Sequence, residues 1–280
     1  MLIICCTVIF SYADARPMLG YLVTRSRLLA MVNDQRDRLL ISRRLPLVLD
    51  LDDTLVRIVS IETINNDPIY AKYPRRLRTL RDGRKVVLTD RVEEFLDWAK
   101  DLFEISVCSL GDQKYIEQIV EFLDPKRNRI TGCLYSARQE YDFSRANAAP
   151  SDGIKPSKDL ASLFSFCAFE PRLADVELGY GYHLPLIVDD SKLCWFPAQH
   201  DNIIEVESNI EADIWTVALF PVVKGVLGLV HKHFFQTLDS FQSGERKVPP
   251  SALSIYKDFL RKTLRERIAK TKVTRTMSFK

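Results

Sequence analysis

The sequence has no CxxC pair of the kind that forms metal or redox sites, and its six cysteines are scattered: Cys5, Cys6, Cys108, Cys133, Cys167 and Cys194. Four of them lie in apolar runs that resemble buried strands or helix faces. We therefore expect reduced core thiols. This pattern favours a reducing compartment, because a secreted domain of this size has less reason to bury unpaired thiols.

Bilayer-spanning apolar runs are missing as well. The segment Met1 to Phe10 is apolar, and Ala13-Asp14-Ala15 resembles a signal-peptidase site. No basic residue precedes the run, and it is too short to cross a bilayer. A secretory signal is the less favoured interpretation, since a short membrane-proximal or packing segment or a misassigned start codon fits as well.

Internal repeats and low-complexity stretches are also absent, and 46% apolar with 28% charged residues is typical of a soluble globular protein. A chain of 280 residues allows one sizeable α/β domain plus appendages. The net charge of +3 is unevenly spread, because Gly244 to Lys280 has eleven Lys and Arg against three Asp and Glu. This basic tail indicates an acidic partner or surface, with a solvated helix that binds nothing as an equal alternative.

Short apolar runs predict the strands of a parallel sheet buried on both faces. The strand predictions are Leu45 to Asp50, Phe103 to Cys108 and Pro185 to Asp190, with weaker strands at Cys133 to Tyr135 and Asn202 to Val206. Asp82-Gly83 predicts a hairpin within Leu77 to Leu88. Helices are predicted at Ser26 to Leu40, Arg91 to Leu102 with Thr89 or Asp90 as N-cap, Gln113 to Leu123, from Pro156 onward, Ile214 to Leu238 and Ser251 to Lys270.

Strands and helices therefore alternate, which predicts an α/β fold: an open parallel sheet with helices on both faces, a small β-hairpin insertion and a helical C-terminal extension. The predicted divisions are an N-terminal segment and helix (1–42), a catalytic domain (43–210) and a basic helical extension (211–280). In such a sheet the loops after the strands gather at one edge and form a site.

Four polar signals end or follow the predicted strands: Asp50-x-Asp52-x-Thr54, Ser109, Lys158 and Asp189-Asp190. Together they predict phosphoryl transfer. An aspartate attacks phosphorus only when a divalent cation screens the two anions, and Mg²⁺ prefers carboxylate oxygens. A second carboxylate two residues on lies on the same side of an extended segment, so it can serve as general acid and base. Taken singly, each signal fits an ordinary turn or strand end.

These residues carry a resemblance to a known family. Val48 to Val56 resembles the first motif of the haloacid-dehalogenase superfamily, specifically of the TFIIF-associating and small CTD phosphatases that act on the C-terminal domain of RNA polymerase II. Phe103 to Tyr115 with Phe122 to Pro125 is similar to the second motif, Lys158 to the motif lysine, and Ile187 to Asp190 with Trp195 to the fourth motif. The resemblance covers Arg43 to Glu207.

The resemblance implies a Mg²⁺-dependent nuclear phosphoserine/threonine phosphatase with an aspartyl-phosphate intermediate. The implied roles are Asp50 as nucleophile, Asp52 as general acid and base, Thr54 as a support, and Ser109 and Lys158 as phosphate ligands. Mg²⁺ would bind to Asp190, Asp50 and the Asp52 backbone carbonyl. Asp189 would support these ligands without binding the metal directly. A phosphoprotein such as the polymerase C-terminal domain would be the substrate.

The chain departs from the family at several points. Ser109 replaces the usual threonine, Ser191 stands where arginine is frequent, Arg138 only roughly matches a family arginine, and no BRCT-like segment is evident. A small-molecule phosphatase and a catalytically decayed binding module stay open as alternatives. His231-x-His233 on a helix is a poor metal pair, because residues two apart diverge, and Phe220, Phe234, Phe235 and Phe241 are expected in the core.

Overall fold

The computed structural model describes residues 4–6, 21–23, 25–67, 70, 74–146, 156–167, 183–206 and 219–277. Ten strands occur within these ranges: β1 Ile4–Cys6, β2 Tyr21–Val23, β3 Leu45–Leu49, β4 Val56–Val59, β5 Leu77–Thr79, β6 Lys85–Leu88, β7 Phe103–Ser109, β8 Leu134–Ser136, β9 Leu186–Asp189 and β10 Ile203–Glu205. The helices are α1 Arg25–Ile41, α2 Ile61–Asn66, α3 Val92–Ala99, α4 Gln113–Leu123, α5 Ala137–Ala146, α6 Leu219–Gln242 and α7 Ala252–Met277.

Five parallel strands form the central sheet in the order β10-β9-β3-β7-β8. Every residue of β3 and β7 is buried, as expected for strands covered on both faces. The three apolar runs identified in the sequence are the three middle strands, and Ile203–Glu205 is the edge strand. The predicted α/β sheet is confirmed.

The predicted hairpin is also confirmed, although it belongs to a larger sheet. Strands β4, β6 and β5 pair antiparallel in that order, and Gly83 takes the left-handed φ of 89° in the turn between β5 and β6. Strand β4 was not predicted. The insertion packs partly on a small cluster of its own, formed by Val59, Tyr70 and Val87.

The predicted helix that opens at Pro156 is wrong. Lys158 is extended instead: it pairs with Trp195 in a parallel bridge, and its backbone N–H donates to the Cys194 carbonyl at 2.7 Å. The chain then makes only the 3-10 turn Leu160–Ser162, which the Asp159 side chain caps. A long-range backbone pairing thus overrides the local helix signal.

The predicted N-cap of α3 is wrong too. Arg91 occupies that position in a left-handed conformation with a φ of 56° and makes no side-chain cap. The Thr89 hydroxyl donates to the Thr54 carbonyl at 2.9 Å, and an Asp90 carboxylate oxygen lies 3.4 Å from Arg76 Nη1. Thr89 therefore joins the end of the insertion to the first-motif loop, while Asp90 pairs with Arg76 within the insertion.

Helix α6 packs onto the central core. Phe220 stacks on Phe95 of α3 with ring centroids 4.6 Å apart, and Phe234 and Phe235 are buried in the same cluster, as expected. His231 Nε2 donates to the Arg43 carbonyl at 2.9 Å, so this histidine holds α6 to the loop before β3. Residues 219–242 share one core with the sheet, while the division at residue 210 stays a prediction.

The chain termini are covered only in part. Ile4–Cys6 pairs antiparallel with Tyr21–Val23, and the signal-like Ala13-Asp14-Ala15 lies outside the described residues. In α7, Ala252 and Tyr256 are buried, and the Tyr256 hydroxyl donates to the Ile203 carbonyl at 3.2 Å. Across the ranges given above, no helix has both the length and the apolarity needed to cross a membrane.

Candidate active site

The predicted site residues gather at the carboxyl ends of three neighbouring strands. Asp50 directly follows β3, Ser109 ends β7, and Asp189 ends β9. The Asp50 backbone N–H donates to the Val188 carbonyl at 3.0 Å, which extends the pairing of β3 with β9 by one residue. The sheet register therefore places the first carboxylate of the motif beside the Asp189-Asp190 pair.

A tight loop after Asp50 turns the second carboxylate back over the strand ends. The Leu51 carbonyl accepts hydrogen bonds from the backbone N–H groups of Thr54, Leu55 and Val56. Asp53 takes the left-handed φ of 59°, which aspartate tolerates better than most residues. Thr54 is fully buried and its carbonyl holds Thr89. The supporting role of Thr54 stays a prediction.

Lys158 lies at the centre of the site and is only 3% exposed. Its Nζ donates to Asp50 Oδ1 at 2.6 Å and to Asp189 Oδ2 at 2.7 Å. Asp189 is further held by Trp195 Nε1 at 2.8 Å and by the Ser191 backbone N–H at 2.9 Å. One buried cation therefore joins two buried carboxylates, each on a different strand.

Burial dominates the electrostatics of these groups. It raises the pKa of Asp50, while the Lys158 cation opposes this shift. Burial also acts to lower the pKa of Lys158, but the attraction of Asp50 and Asp189 outweighs it and the pKa is raised. The pKa of Asp190 is raised to about 6 by burial and by the neighbouring Asp189 charge. Carboxylates outnumber cations here, so the site favours an added positive charge.

Asp52 is held apart from this ion pair. The Tyr115 hydroxyl donates to Asp52 Oδ1, and Ser109 Oγ lies at the longer distance of 3.4 Å from Asp52 Oδ2. Burial raises the pKa of Asp52, and the hydrogen bond from Tyr115 partly offsets the shift. A protonated Asp52 would be able to donate to a leaving group, which is what a general acid requires.

Tyr115 had no role in the sequence prediction, although a local signal for its position exists. Asp112 caps helix α4 by accepting the Tyr115 backbone N–H at 2.8 Å, which aims the ring toward the site. A Cβ at Gly111 would lie only 2.4 Å from the Tyr115 ring, so only glycine permits this approach. The sequence Gly111-Asp112-x-x-Tyr115 thus builds the support of Asp52.

The sequence model of the NLI interacting factor-like phosphatase family matches residues 45–227, which is more than half of the chain. The chain belongs to the NLI interacting factor-like phosphatases. The matched range begins with β3 and ends within α6, and it includes every predicted site residue.

Two curated relatives of this chain come from Arabidopsis thaliana. RNA polymerase II C-terminal domain phosphatase-like 4 is 27% identical over 180 residues, which cover 59% of this chain and 34% of the relative. RNA polymerase II C-terminal domain phosphatase-like 3 is 26% identical over 188 residues, which cover 62% of this chain and 13% of the relative. The chain therefore spans about a third and about an eighth of these two relatives.

Solved structures give the same fold. The structure of Fcp1, an essential RNA polymerase II CTD phosphatase, matches with a TM-score of 0.59 and 16% identity, covering 80% of this chain and 73% of that one. A variant of fission yeast Fcp1 bound to beryllium fluoride matches with a TM-score of 0.57 and 17% identity over the same shares of both chains. These matches confirm the predicted α/β fold with its open parallel sheet.

The chain also has a group of carboxylates suited to a metal ion. Asp50, Asp189 and Asp190 each offer an oxygen, and these oxygens lie within 4.8 Å of one another. The side chain of Asp52 is not in this group, and its contribution through the backbone carbonyl stays a prediction. Hard oxygen donors of this kind fit Mg²⁺. Arg138, the weak family match, is exposed on α5.

Proposed function

We propose that the chain is a Mg²⁺-dependent phosphoserine/threonine protein phosphatase that works through an aspartyl-phosphate intermediate. The observation that carries the proposal is the buried Asp50–Lys158–Asp189 ion pair at a strand end, with Asp52 held separately beside it. The relatives' names support the C-terminal domain of RNA polymerase II, or a similar nuclear phosphoprotein, as the substrate. A nuclear location follows from that substrate.

In this proposal Asp50 is the nucleophile. Its carboxylate oxygen forms a bond to phosphorus while the bond from phosphorus to the seryl oxygen breaks, and Asp52 gives its proton to that oxygen. Asp52 then takes a proton from the water that attacks the phosphoaspartate, so Asp50 is regenerated and inorganic phosphate leaves. Lys158 and Ser109 hold the equatorial phosphate oxygens, where positive charge and hydrogen bonds stabilise the transition state.

The carboxylates divide between metal binding and support. We assign Mg²⁺ to Asp50, Asp190 and the Asp52 carbonyl. Asp189 instead orients Lys158, because Lys158, Trp195 and the Ser191 N–H already occupy its two oxygens. When bound, the metal would offset the negative charge of the carboxylates and the phosphate.

Metal removal tests the first part of the proposal. The purified chain should hydrolyse p-nitrophenyl phosphate with Mg²⁺, lose the activity in EDTA and regain it when Mg²⁺ is restored. Asp190→Asn should raise the Mg²⁺ concentration for half-maximal rate at least about tenfold. Asp201→Asn is the matched control, since Asp201 is an exposed carboxylate that pairs with Lys257 of α7. Full turnover in EDTA would contradict the assignment.

Removal of the Tyr115 hydroxyl tests the role of Asp52. Tyr115→Phe should lower kcat/KM for a phosphoserine peptide about tenfold, because Asp52 loses a hydrogen bond at close range. The loss should be smaller with p-nitrophenyl phosphate, whose leaving group needs no proton. A series of phosphate esters with leaving groups of increasing pKa measures this difference.

The matched control for this change is Tyr256→Phe. It removes another buried tyrosine hydroxyl, which bonds the Ile203 carbonyl at the opposite edge of the sheet. If both variants lose the same activity on every ester, Tyr115 contributes only to folding, and its assignment as the positioning residue for Asp52 is wrong.

The basic helix Ala252–Met277 completes the proposal as a docking element for an acidic protein. Arg261, Lys262 and Arg265 are exposed on it. Complementary charge raises association rates and is weakened by salt.

A further inference from the structure

The β insertion beside the site is strongly basic. Its segment Pro74 to Leu88 has six cations and one acid, Asp82; the cations are Arg75, Arg76, Arg78, Arg81, Arg84 and Lys85. The site itself is acidic, with Asp50, Asp52, Asp189 and Asp190 at the strand ends. A phosphorylated substrate approaching this region therefore meets carboxylates at the centre and positive charge on one flank.

Arg84 is the member of this set that lies closest to the described chemistry. Its Cζ is 5.4 Å from the centroid of the Tyr115 ring, and the hydroxyl of that ring donates to Asp52. A single aromatic ring thus separates the Arg84 guanidinium from the proposed general acid. This distance places Arg84 beside the tyrosine that supports Asp52.

The turn that contains Arg84 is fixed in place. The Arg81 backbone N–H donates to Gln118 Oε1 at 2.8 Å, and Arg81 Nη2 lies 3.1 Å from Glu121 Oε2, both on helix α4. The same helix provides Tyr115. Helix α4 therefore holds the turn that contains Arg84 and also provides the Tyr115 ring, which fixes their relative position.

The ion pair between Arg84 and Asp82 leaves the Arg84 guanidinium able to bind an anion. Arg84 Nε donates to Asp82 Oδ2 at 2.7 Å, and both side chains are about half exposed. An exposed pair of this kind contributes little free energy. A guanidinium also has five N–H donors, so most of them stay available to a second acceptor.

We infer that Arg84 selects substrates with a second phosphate close to the phosphate that is removed. This inference rests on the proposed function and names its substrate class more narrowly: multiply phosphorylated peptides. Arginine binds phosphate oxygens in a bidentate manner, and a phosphate carries more charge than a carboxylate. An extended peptide advances about 3.3 Å per residue, so a second phosphoserine two or three residues away falls within reach of Arg84.

The test compares singly and doubly phosphorylated peptides of one sequence. With the second phosphate two or three residues from the first, kcat/KM of the unmodified phosphatase should exceed that of the singly phosphorylated peptide about tenfold at low salt. The ratio should shrink as the salt concentration rises. A peptide with the second phosphate eight residues away should show no such advantage, because an extended spacer takes it beyond the turn.

Three variants test whether Arg84 causes the preference for the doubly phosphorylated peptide. Arg84→Gln should bring the ratio close to one, and Arg84→Lys should restore part of it. Asp82→Asn should raise the ratio, because asparagine keeps an oxygen for the Arg84 backbone N–H at this turn but removes the competing charge. Arg43→Gln is the matched control; it removes a half-exposed arginine that pairs with Asp239 at the end of β3 opposite Asp50, and it should leave the ratio unchanged.

The outcomes separate this inference from the proposed function. Turnover of the singly phosphorylated peptide with no advantage for the doubly phosphorylated one overturns the inference and leaves the phosphatase assignment standing. An unchanged ratio in a folded Arg84→Gln variant overturns it as well. Failure to hydrolyse either peptide or p-nitrophenyl phosphate overturns the proposed function itself.

Discussion

Asp50→Asn is expected to abolish turnover, with kcat lowered by at least about 10⁴-fold on every phosphate ester. Asparagine keeps the size of the side chain, and the backbone N–H to Val188 still holds the strand end. The amide oxygen is a poor nucleophile, however, and it carries no charge for Lys158 to balance. The fold should persist because Asp189 still pairs with Lys158.

Acid quench of the reaction within the first turnover provides the direct measurement. Phosphate from a labelled phosphopeptide should be found on the unmodified chain, and peptide mapping should place it on Asp50. The control is Asp53→Asn in the same loop, whose carboxylate pairs with Arg57 at 2.7 Å. That variant should still form the phosphorylated enzyme. Undiminished turnover in Asp50→Asn would exclude the aspartyl-phosphate mechanism.

The middle of the fold could be predicted because its signals are local. A strand buried on both faces is a continuous apolar run, and parallel strands bring their carboxyl ends together. Those two rules place Asp50, Ser109 and Asp189 at one edge of the sheet before any coordinates are known. Lys158 lies beside Asp50 and Asp189 even though the helix predicted around it was wrong. Its extended backbone depends on pairing with Trp195, 37 positions further along.

The missed features have the same physical origin. Tyr115 bonds a carboxylate 63 residues earlier, and Arg84 reaches the site only by packing over the Tyr115 ring. Neither contact leaves a periodic pattern in the sequence. The N-cap prediction for α3 was wrong for a related reason. Thr89 and Asp90 are good capping residues, but their side chains bind Thr54 and Arg76 in other segments. A local preference for capping is not realised where a partner distant in the sequence binds the same side-chain atom.

Lys158→Met is expected to destabilise the fold by about 3–5 kcal/mol, besides removing activity, because it leaves buried carboxylates without their counter-ion. Both Asp50 and Asp189 are almost fully buried, so neither can recover the lost interaction from water. The midpoint of thermal unfolding should fall by roughly 10 °C. Lys257→Met, which breaks the exposed pair with Asp201, should change it by less than about 2 °C.

The deficit of Lys158→Met should depend on pH in a defined direction. Burial raises the pKa of Asp50, and without Lys158 nothing opposes that shift. A carboxyl whose folded-state pKa lies above its unfolded value of about 3.9 costs stability as pH rises through this interval, so the deficit relative to the unmodified chain should shrink as pH falls from 8 to 5. Unfolding in urea with EDTA measures this without metal. Equal deficits at both pH values would show that Lys158 stabilises the site by packing and not by its charge.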